Sequence, residues 1–491
     1  MNGTDCESMD KLKHISLPRA DRLGGLSFLI LLTIAIAIQQ MWLLWVPAFL
    51  LAGLWVAISR QRVYFALFFF LPFSFDANIL GDMQLAIPSE VLMILITAML
   101  LIPTQESRIR KEIIQHPLTI LILIHLAWIL LSTISSTNPL VSGKYFIAKL
   151  WFLGAFYLSS WYCLRKPAHF ERLWWLFYIP MLLSILYVFI RHLEYNLVFS
   201  KVNAAVGLIY QNHVDYGCLM VLFYPLIWVT KRWYPTFSLP GLILGMGLLL
   251  FPVAIYFSYT RVAIGLLILY PLIYAILHFR LLRPALIISA IAIITGITYL
   301  LSDRTYLKYA PNYDRTIYQD EFGNLLEATY KLEDLSTMER LHRWVAARHM
   351  TVDYPWMGTG PGTFHPTYKS YTVKSFATYV SDNPEQSGVH NYFLMTLTDQ
   401  GWPGLIFWLF LLLGSLLFMD QLYHSGRLRP SDRTLLAALF CMFCGIIVIN
   451  VLNDMIEHFK IGGLFFWILA LVGLLSYGHP ISPKKDTPDE P

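Results

Sequence analysis

Apolar runs of about twenty residues follow one another almost from end to end of this chain, separated by short polar gaps. A membrane helix needs roughly 20 mostly apolar residues to cross the hydrocarbon core. Inside lipid every backbone N–H and C=O must be bonded within the spanning structure, so such runs fold as helices. Candidate spans centre near residues 32, 50, 71, 95, 126, 155, 182, 222, 249, 271, 292, 411, 442 and 469. Close spacing of the pairs within 24–58 and 239–280 sets the range at about 12–14. Hydrophobic residues make up 57% and charged residues 14% of the chain, against roughly a quarter charged in soluble domains. The expected fold class is an all-α polytopic membrane protein, with one large, partly helical outward loop.

Lys and Arg concentrate on the cytoplasmic side of membrane proteins. Numbering the gaps alternately sorts the basic residues into two sets. One holds the clusters at Lys11–Arg22, Arg60/Arg62, Arg108–Lys111, Arg165–Arg172, Lys231/Arg232, Arg280/Arg283, Arg427–Arg433 and Lys484/Lys485. The short gaps of the other set hold Lys144, Arg191, Lys201, Arg261 and Lys460. The alternation runs unbroken with fourteen spans. It makes both termini cytoplasmic and turns the hydrophilic stretch 302–389 outward. The net charge of +5 then reflects the inner gaps and does not call for nucleic acid. Four segments are expected: an N-terminal transmembrane bundle, 1–301, of about eleven spans; an outward loop, 302–400; C-terminal transmembrane helices, 401–477; and a Pro-rich tail, 478–491, disordered by composition. The polar N-terminus reads as uncleaved. Cys441 and Cys444 have CxxC spacing but fall inside an apolar run, as small residues of a packed helix do.

Basic residues on the outward side need a reason. Arg261 lies in SYTRVAIG with almost no loop to hide in, and a charge at membrane depth faces a wet cavity or a partner. Arg191 opens another outward segment, in which Asn212 precedes a helix and suits either a cap or a sugar contact. In the large loop, Ser336 to Glu339 match a capping box. The helix that follows, about 337–352, sets Arg340, Arg343 and Ala347 on one face, where two arginines three apart suit bidentate binding of pyrophosphate. Gly358–Gly362 form a flexible turn whose N–H groups, Gly360 among them, suit a phosphate. His390 and Asn391 sit immediately before the helix Tyr392–Gln400, which Gly401 ends. A helix N-terminus disfavours imidazolium, so His390 there stays neutral and can accept a proton.

Three blocks together resemble the O-antigen ligase and polymerase superfamily of bacterial envelope glycosyltransferases. Ser258-Tyr259-Thr260-Arg261-Val262-Ala263 is similar to the family's S-x-S-R-G-A. Arg340-x-x-x-Trp344, followed by Pro355 to Phe364, resembles R-x-x-x-W and P-x-x-G-x-G-x-x-x-F. His390-Asn391-Tyr392 through Thr398-Asp399-Gln400-Gly401 to Leu405 resembles H-N-x-Y/F-L-x-x-L-x-E-x-G-x-x-G-L. The blocks stand in the family's order, over roughly residues 200–410. Val262 stands where the family often has Gly, Asp399 where it often has Glu, and fourteen spans exceed its usual twelve.

The resemblance implies transfer of a glycan from an undecaprenyl-pyrophosphate carrier to an acceptor hydroxyl at the periplasmic face of the bacterial inner membrane. The implied partners are that lipid-linked donor, a glycan or lipid A–core acceptor, and membrane lipid. Arg261, Arg340 and Arg191 would stabilise the leaving pyrophosphate, with Arg343, Asn391, Asn212 and Gly360 as binding residues and His390 as base. Direct attack inverts the anomeric centre and calls for no metal or other cofactor. Asp76, in an early outward loop, is the acidic residue that a metal-dependent variant would use. The single late loop favours a ligase over a repeat-unit polymerase. A lipid-linked oligosaccharide flippase is the alternative from another class, although such transporters usually carry internal repeats.

Overall fold

The computed structural model describes residues 59–80, 83–102, 107–302, 305, 335–373 and 388–483. The chain divides into two units, Met1–Phe65 and Ala66–Pro491. Only 59–65 of the first is described, and the spans expected near residues 32 and 50 lie outside the described residues, as does the tail from residue 484. In chain order the elements are α1 (Arg60–Phe70), β1 (Phe75–Leu80), β2 (Met83–Ile87), α2 (Ser89–Leu100), α3 (Ser107–Gln115), α4 (Pro117–Ile134), α5 (Pro139–Phe152), α6 (Ser159–Cys163), α7 (Pro167–Glu194) and α8 (Val202–Val206). They continue with α9 (His213–Lys231), α10 (Leu239–Phe257), α11 (Arg261–His278), α12 (Leu282–Leu301), α13 (Leu335–Asp353), α14 (Phe364–Tyr368), α15 (Tyr392–Tyr423), α16 (Pro430–Leu452) and α17 (Phe459–Ser476).

Among the described residues, nine helices are long and apolar enough to cross a membrane: α4, α7, α9, α10, α11, α12, α15, α16 and α17. The protein is an all-α polytopic membrane protein, with one antiparallel hairpin among the described residues, β1–β2, in the register Phe75↔Ile87.

Three expected spans take other forms. The run near residue 71 breaks because Leu71–Phe73 tighten into a 3₁₀ turn at Pro72, which has no N–H to continue the helix, and the chain turns into the hairpin. The run near 95 is the twelve-residue α2, about 18 Å long at 1.5 Å per residue, against about 30 Å of hydrocarbon. The run near 155 is α5 and α6 joined by a π-turn, Leu153–Leu158. There the Ser159 hydroxyl donates to the Gly154 carbonyl at 2.8 Å. Thr97 of α2 lies so close to Gly154 that a Cβ would meet its Oγ1 at 2.4 Å.

α17 is almost wholly buried, α9 and α16 mostly so, and α12 buries none of its span. The core is aromatic: Phe68, Phe156, Phe177, Phe223 and Trp467 meet edge-on or tilted. Contacts between turns then distinguish two ends. At one, Arg165 pairs with Glu112 at 2.5 Å, Arg429 with Asp432 at 2.7 Å, and His424 Nε2 with the Leu277 carbonyl at 2.8 Å. This end carries basic clusters assigned to the inner gaps. At the other, Thr137 N–H donates to Thr359 O at 2.9 Å and Tyr392 N–H to Asn453 O at 3.1 Å. Tyr259 Oη donates there to Leu197 O at 2.5 Å and Thr260 Oγ1 to His213 O at 3.0 Å.

Gly401 kinks α15 (φ 71°, ψ −174°) where a Cβ would meet the Trp356 carbonyl oxygen at 2.2 Å. Gly426 has nearly the same φ, +70°, and open space around it. A positive φ alone costs a non-glycine residue about 1–2 kcal/mol, so Gly426→Ala is expected to lower the thermal midpoint in detergent slightly. Gly401→Ala adds a backbone collision and should lower it clearly further. Equal shifts would contradict this account of the kink.

Candidate active site

The helix α13 forms where it was expected but already includes Leu335, so Ser336 lies inside it rather than capping it, and its far end stops before Pro355. One side of it is covered: Met338, His342, Ala346, Ala347 and Met350 are buried. Arg343 goes inside with them, which corrects the expectation that it shares a pyrophosphate-binding face with Arg340. It is 2% exposed, donates from Nη1 to Gly388 O at 3.2 Å, and holds Glu339 Oε2 at 3.6 Å from Nη2. Trp344 Nε1 donates to Val389 O at 3.1 Å. α13 therefore grips the backbone leading into His390. Arg340, three residues from Arg343, stays half-buried.

The glycine turn after α13 also has a different use. Thr359 N–H donates to Thr398 O and Gly360 N–H to Asp399 O, each at 2.9 Å. Gly362 N–H donates to Asp399 Oδ2 at 2.7 Å. These amides are spent on the first half of α15 and are not offered to a phosphate. Gly360, at φ +110°, is required because a Cβ would meet Ser136 Oγ at 2.0 Å.

His390 itself has φ +56°, with 32% of its side chain exposed and Nδ1 3.8 Å from Asp454 Oδ1. Asn391 caps α15 by accepting from Leu394 N–H at 3.0 Å. The imidazole pKa is lowered to about 4: burial lowers it most, the Asp454 carboxylate raises it, and the charges of Arg343 and Arg340 lower it again. Burial and two nearby guanidinium groups thus keep His390 neutral at pH 7.

Arg261 is the first residue of α11, after the left-handed Tyr259 (φ +54°). The turn before it leans on the start of α9, where a Cβ on Gly217 would meet Ser258 Oγ at 2.5 Å. Arg261 lies close enough to His213 to act on its charge. Asn212 caps α9, its amide oxygen accepting from Val214 N–H at 2.9 Å and Asp215 N–H at 3.0 Å. Arg191 donates to Tyr187 Oη one turn earlier at 3.3 Å. It also stacks its guanidinium over that ring, 5.7 Å from the centroid.

The two groups are joined by a segment absent from the sequence-level assignments, the link from α16 to α17. Asp454 faces His390, as above. Glu457 accepts from Tyr145 Oη at 2.7 Å and pairs with Lys149 Nζ at 2.9 Å. His458 Nδ1 meets Asp215 Oδ1 on the first turn of α9 at 3.0 Å. Lys460 Nζ donates to Ile209 O at 2.6 Å. The signal was present: four ionisable residues fall within Asp454–Lys460, between two apolar runs. The side chain of Asp76 lies outside the described residues.

Such a site has a neutral imidazole beside a carboxylate, with the guanidinium groups of Arg343 and Arg340 near enough to act on its charge. Comparison with known families gives it a class. Residues 246–409 match the family model for O-antigen ligase. The matched segment is similar to that family. The match covers Arg261, Arg340, Arg343, Gly360, His390 and Asn391, and ends before the Asp454–Lys460 link. It supports a membrane glycosyltransferase of ligase or polymerase type. No curated protein matches the chain.

His458 offers a pH test of the link. Burial would lower its pKa, but Asp215, Asp454 and Glu457 outweigh burial and raise it to about 9. A folded-state pKa above the unfolded value of about 6.5 gives stability that is complete below pH 6.5 and is lost as pH rises through 9. The thermal midpoint of the wild type should therefore fall towards that of His458→Gln between pH 6.5 and 9. Parallel curves would contradict the pairing.

Proposed function

We propose that the chain moves a glycan from a polyprenyl-pyrophosphate carrier to an acceptor hydroxyl, with the O-antigen-ligase reaction as the leading form and lipid A–core or a similar glycan as acceptor. The observation that carries this is the neutral His390, set between Asp454 and the arginines of α13. In this reading the acceptor O–H gives its proton to His390 Nε2, since Nδ1 faces Asp454. The acceptor oxygen forms the new bond to the anomeric carbon from the side opposite the pyrophosphate. The bond from that carbon to the phosphate oxygen breaks, and the pyrophosphate leaves with the electron pair. The product is inverted.

Charge supports each step. Developing negative charge on the pyrophosphate is stabilised by the guanidinium charges of Arg340 and Arg261. A histidine of pKa about 4 is available as a base but a weak one, because efficient bases titrate near the working pH. Arg340 and Arg343 help hold that pKa down. A pyrophosphate bound at Arg340 cancels part of their field, so donor binding itself strengthens the base. Asp454 then stabilises the imidazolium formed in the transition state. Arg343 acts through position, holding Gly388 and so the turn that presents His390.

In this reading this end of the bundle faces the periplasmic side of a bacterial inner membrane, and the alternation of basic clusters supports that orientation. Reconstituted protein, a polyprenyl-pyrophosphate glycan and a lipid A–core acceptor provide the test. The expected product is a single shifted acceptor band, and His390→Ala should reduce its rate by roughly 10²–10⁴-fold without changing the thermal midpoint much. A ladder on the lipid carrier without acceptor would indicate a polymerase. Movement of unaltered donor across the vesicle bilayer would indicate transport. Full transfer activity in a folded His390→Ala protein would overturn the assignment of the base.

A further inference from the structure

A cavity of about 250 Å³ opens beside the Asp215–His458 pair, walled by the segments Ser74–Phe75, Gly207–Gln211 and His458–Ile461. Its walls are mixed. Asp215 and Gln211 bring a carboxylate and an amide, His458 an imidazole, and Tyr210 and Phe459 aromatic rings. Lys460 is 7% exposed, and its ammonium reaches the Ile209 carbonyl at 2.6 Å while lying 4.2 Å from the centroid of the Tyr210 ring. Burying a lysine costs several kcal/mol unless it is well paired. Here the charge fastens the 207–211 turn to the α16–α17 link and so keeps the cavity walled. Leu208, at the rim, is 62% exposed.

Small-molecule sites are concave, largely apolar and carry a few placed polar groups. This one is smaller than the roughly 300–1,000 Å³ of a drug-sized pocket, so it suits one ring rather than a chain of them. Pyranose rings present C–H faces to aromatic side chains and hydroxyl edges to carboxylates and amides, and these walls supply both. The cavity also adjoins the link that carries Asp454. We propose that it is a sugar subsite, holding one pyranose ring of the glycan next to the reacting centre. The assignment rests on the glycosyl-transfer reading for which glycan is held, while occupancy by a sugar is tested apart from transfer.

The full-length protein in lipid nanodiscs is probed with methyl glycosides of the common hexoses and N-acetylhexosamines by saturation-transfer NMR. At least one glycoside should show saturation on the wild type. Leu208→Trp, which closes the rim from an exposed position, should reduce that signal at least about fivefold, and Gln211→Ala should weaken it, both with unchanged thermal midpoints. In the transfer assay the same variants should raise KM by about tenfold with little change in kcat. Glycoside saturation on a wild type that transfers nothing would retain the subsite and remove the reaction. Absence of saturation by every glycoside, or saturation undiminished in Leu208→Trp, would overturn the subsite whatever the transfer activity.

Discussion

A charge inside a bundle of apolar helices has to be paired, because desolvation of an unmatched ion costs several kcal/mol. At one end of this protein a single short link meets that demand. Asp454, Glu457, His458 and Lys460 each face a partner on a different part of the chain: His390, Lys149, Asp215 and the Ile209 carbonyl. Removing one member of a buried pair such as Lys149–Glu457 leaves the other uncompensated, at about 3–5 kcal/mol. The link is therefore held from several sides, and the elements it touches are held with it. It joins the α9–α11 corner, which carries Arg261, to the turn that carries His390.

The surrounding structure serves the same end. The π-turn in the α5–α6 helix lies beyond Lys149 and adapts this otherwise apolar segment to α2 at Gly154. π-turns inside helices often lie at functional sites, and this one belongs to the helix that reaches Glu457. From the opposite side, α13 pins Gly388 and Val389 through Arg343 and Trp344. Close packing extends to the carboxylate of Asp454, whose Oδ2 would lie 1.9 Å from a Cβ on Gly388. Glycine at that position lets the carboxylate come under His390.

Much of this was legible in the sequence, for identifiable reasons. Long apolar runs report spanning helices because lipid leaves the backbone no alternative, and among the described residues nine of them form as expected. The helix α13 was expected at nearly its observed length, although it begins before the capping box, and Gly401 announced the break in α15. His390, Arg261 and Arg340 carried local signals, a histidine before a helix and arginines in apolar or amphipathic settings. Harder to read was how groups on different helices meet. Arg343 has the spacing of a surface pair with Arg340, but which side of α13 is covered depends on the 388–389 turn, 45 residues away in sequence. The Gly358–Gly362 amides looked free because their acceptors, Thr398 and Asp399, lie on another element. Asp454 and Glu457 belong to no motif, and only tertiary structure brings them to His390 and Lys149. Short spans misled for a related reason: composition alone does not separate a full crossing from α2 or from a helix broken at Pro72.

Whether Arg261 and His390 work on one reaction is the central question, since they sit on elements joined only through the link. A double-mutant cycle on the reconstituted transfer rate asks it directly, using Arg261→Ala, His390→Ala and the double variant. Residues that act as a unit give strongly non-additive losses. The account predicts that the double variant transfers little more slowly than the worse single variant. Losses that multiply, as they do for independent sites, would contradict a single centre built across the Asp454–Lys460 link.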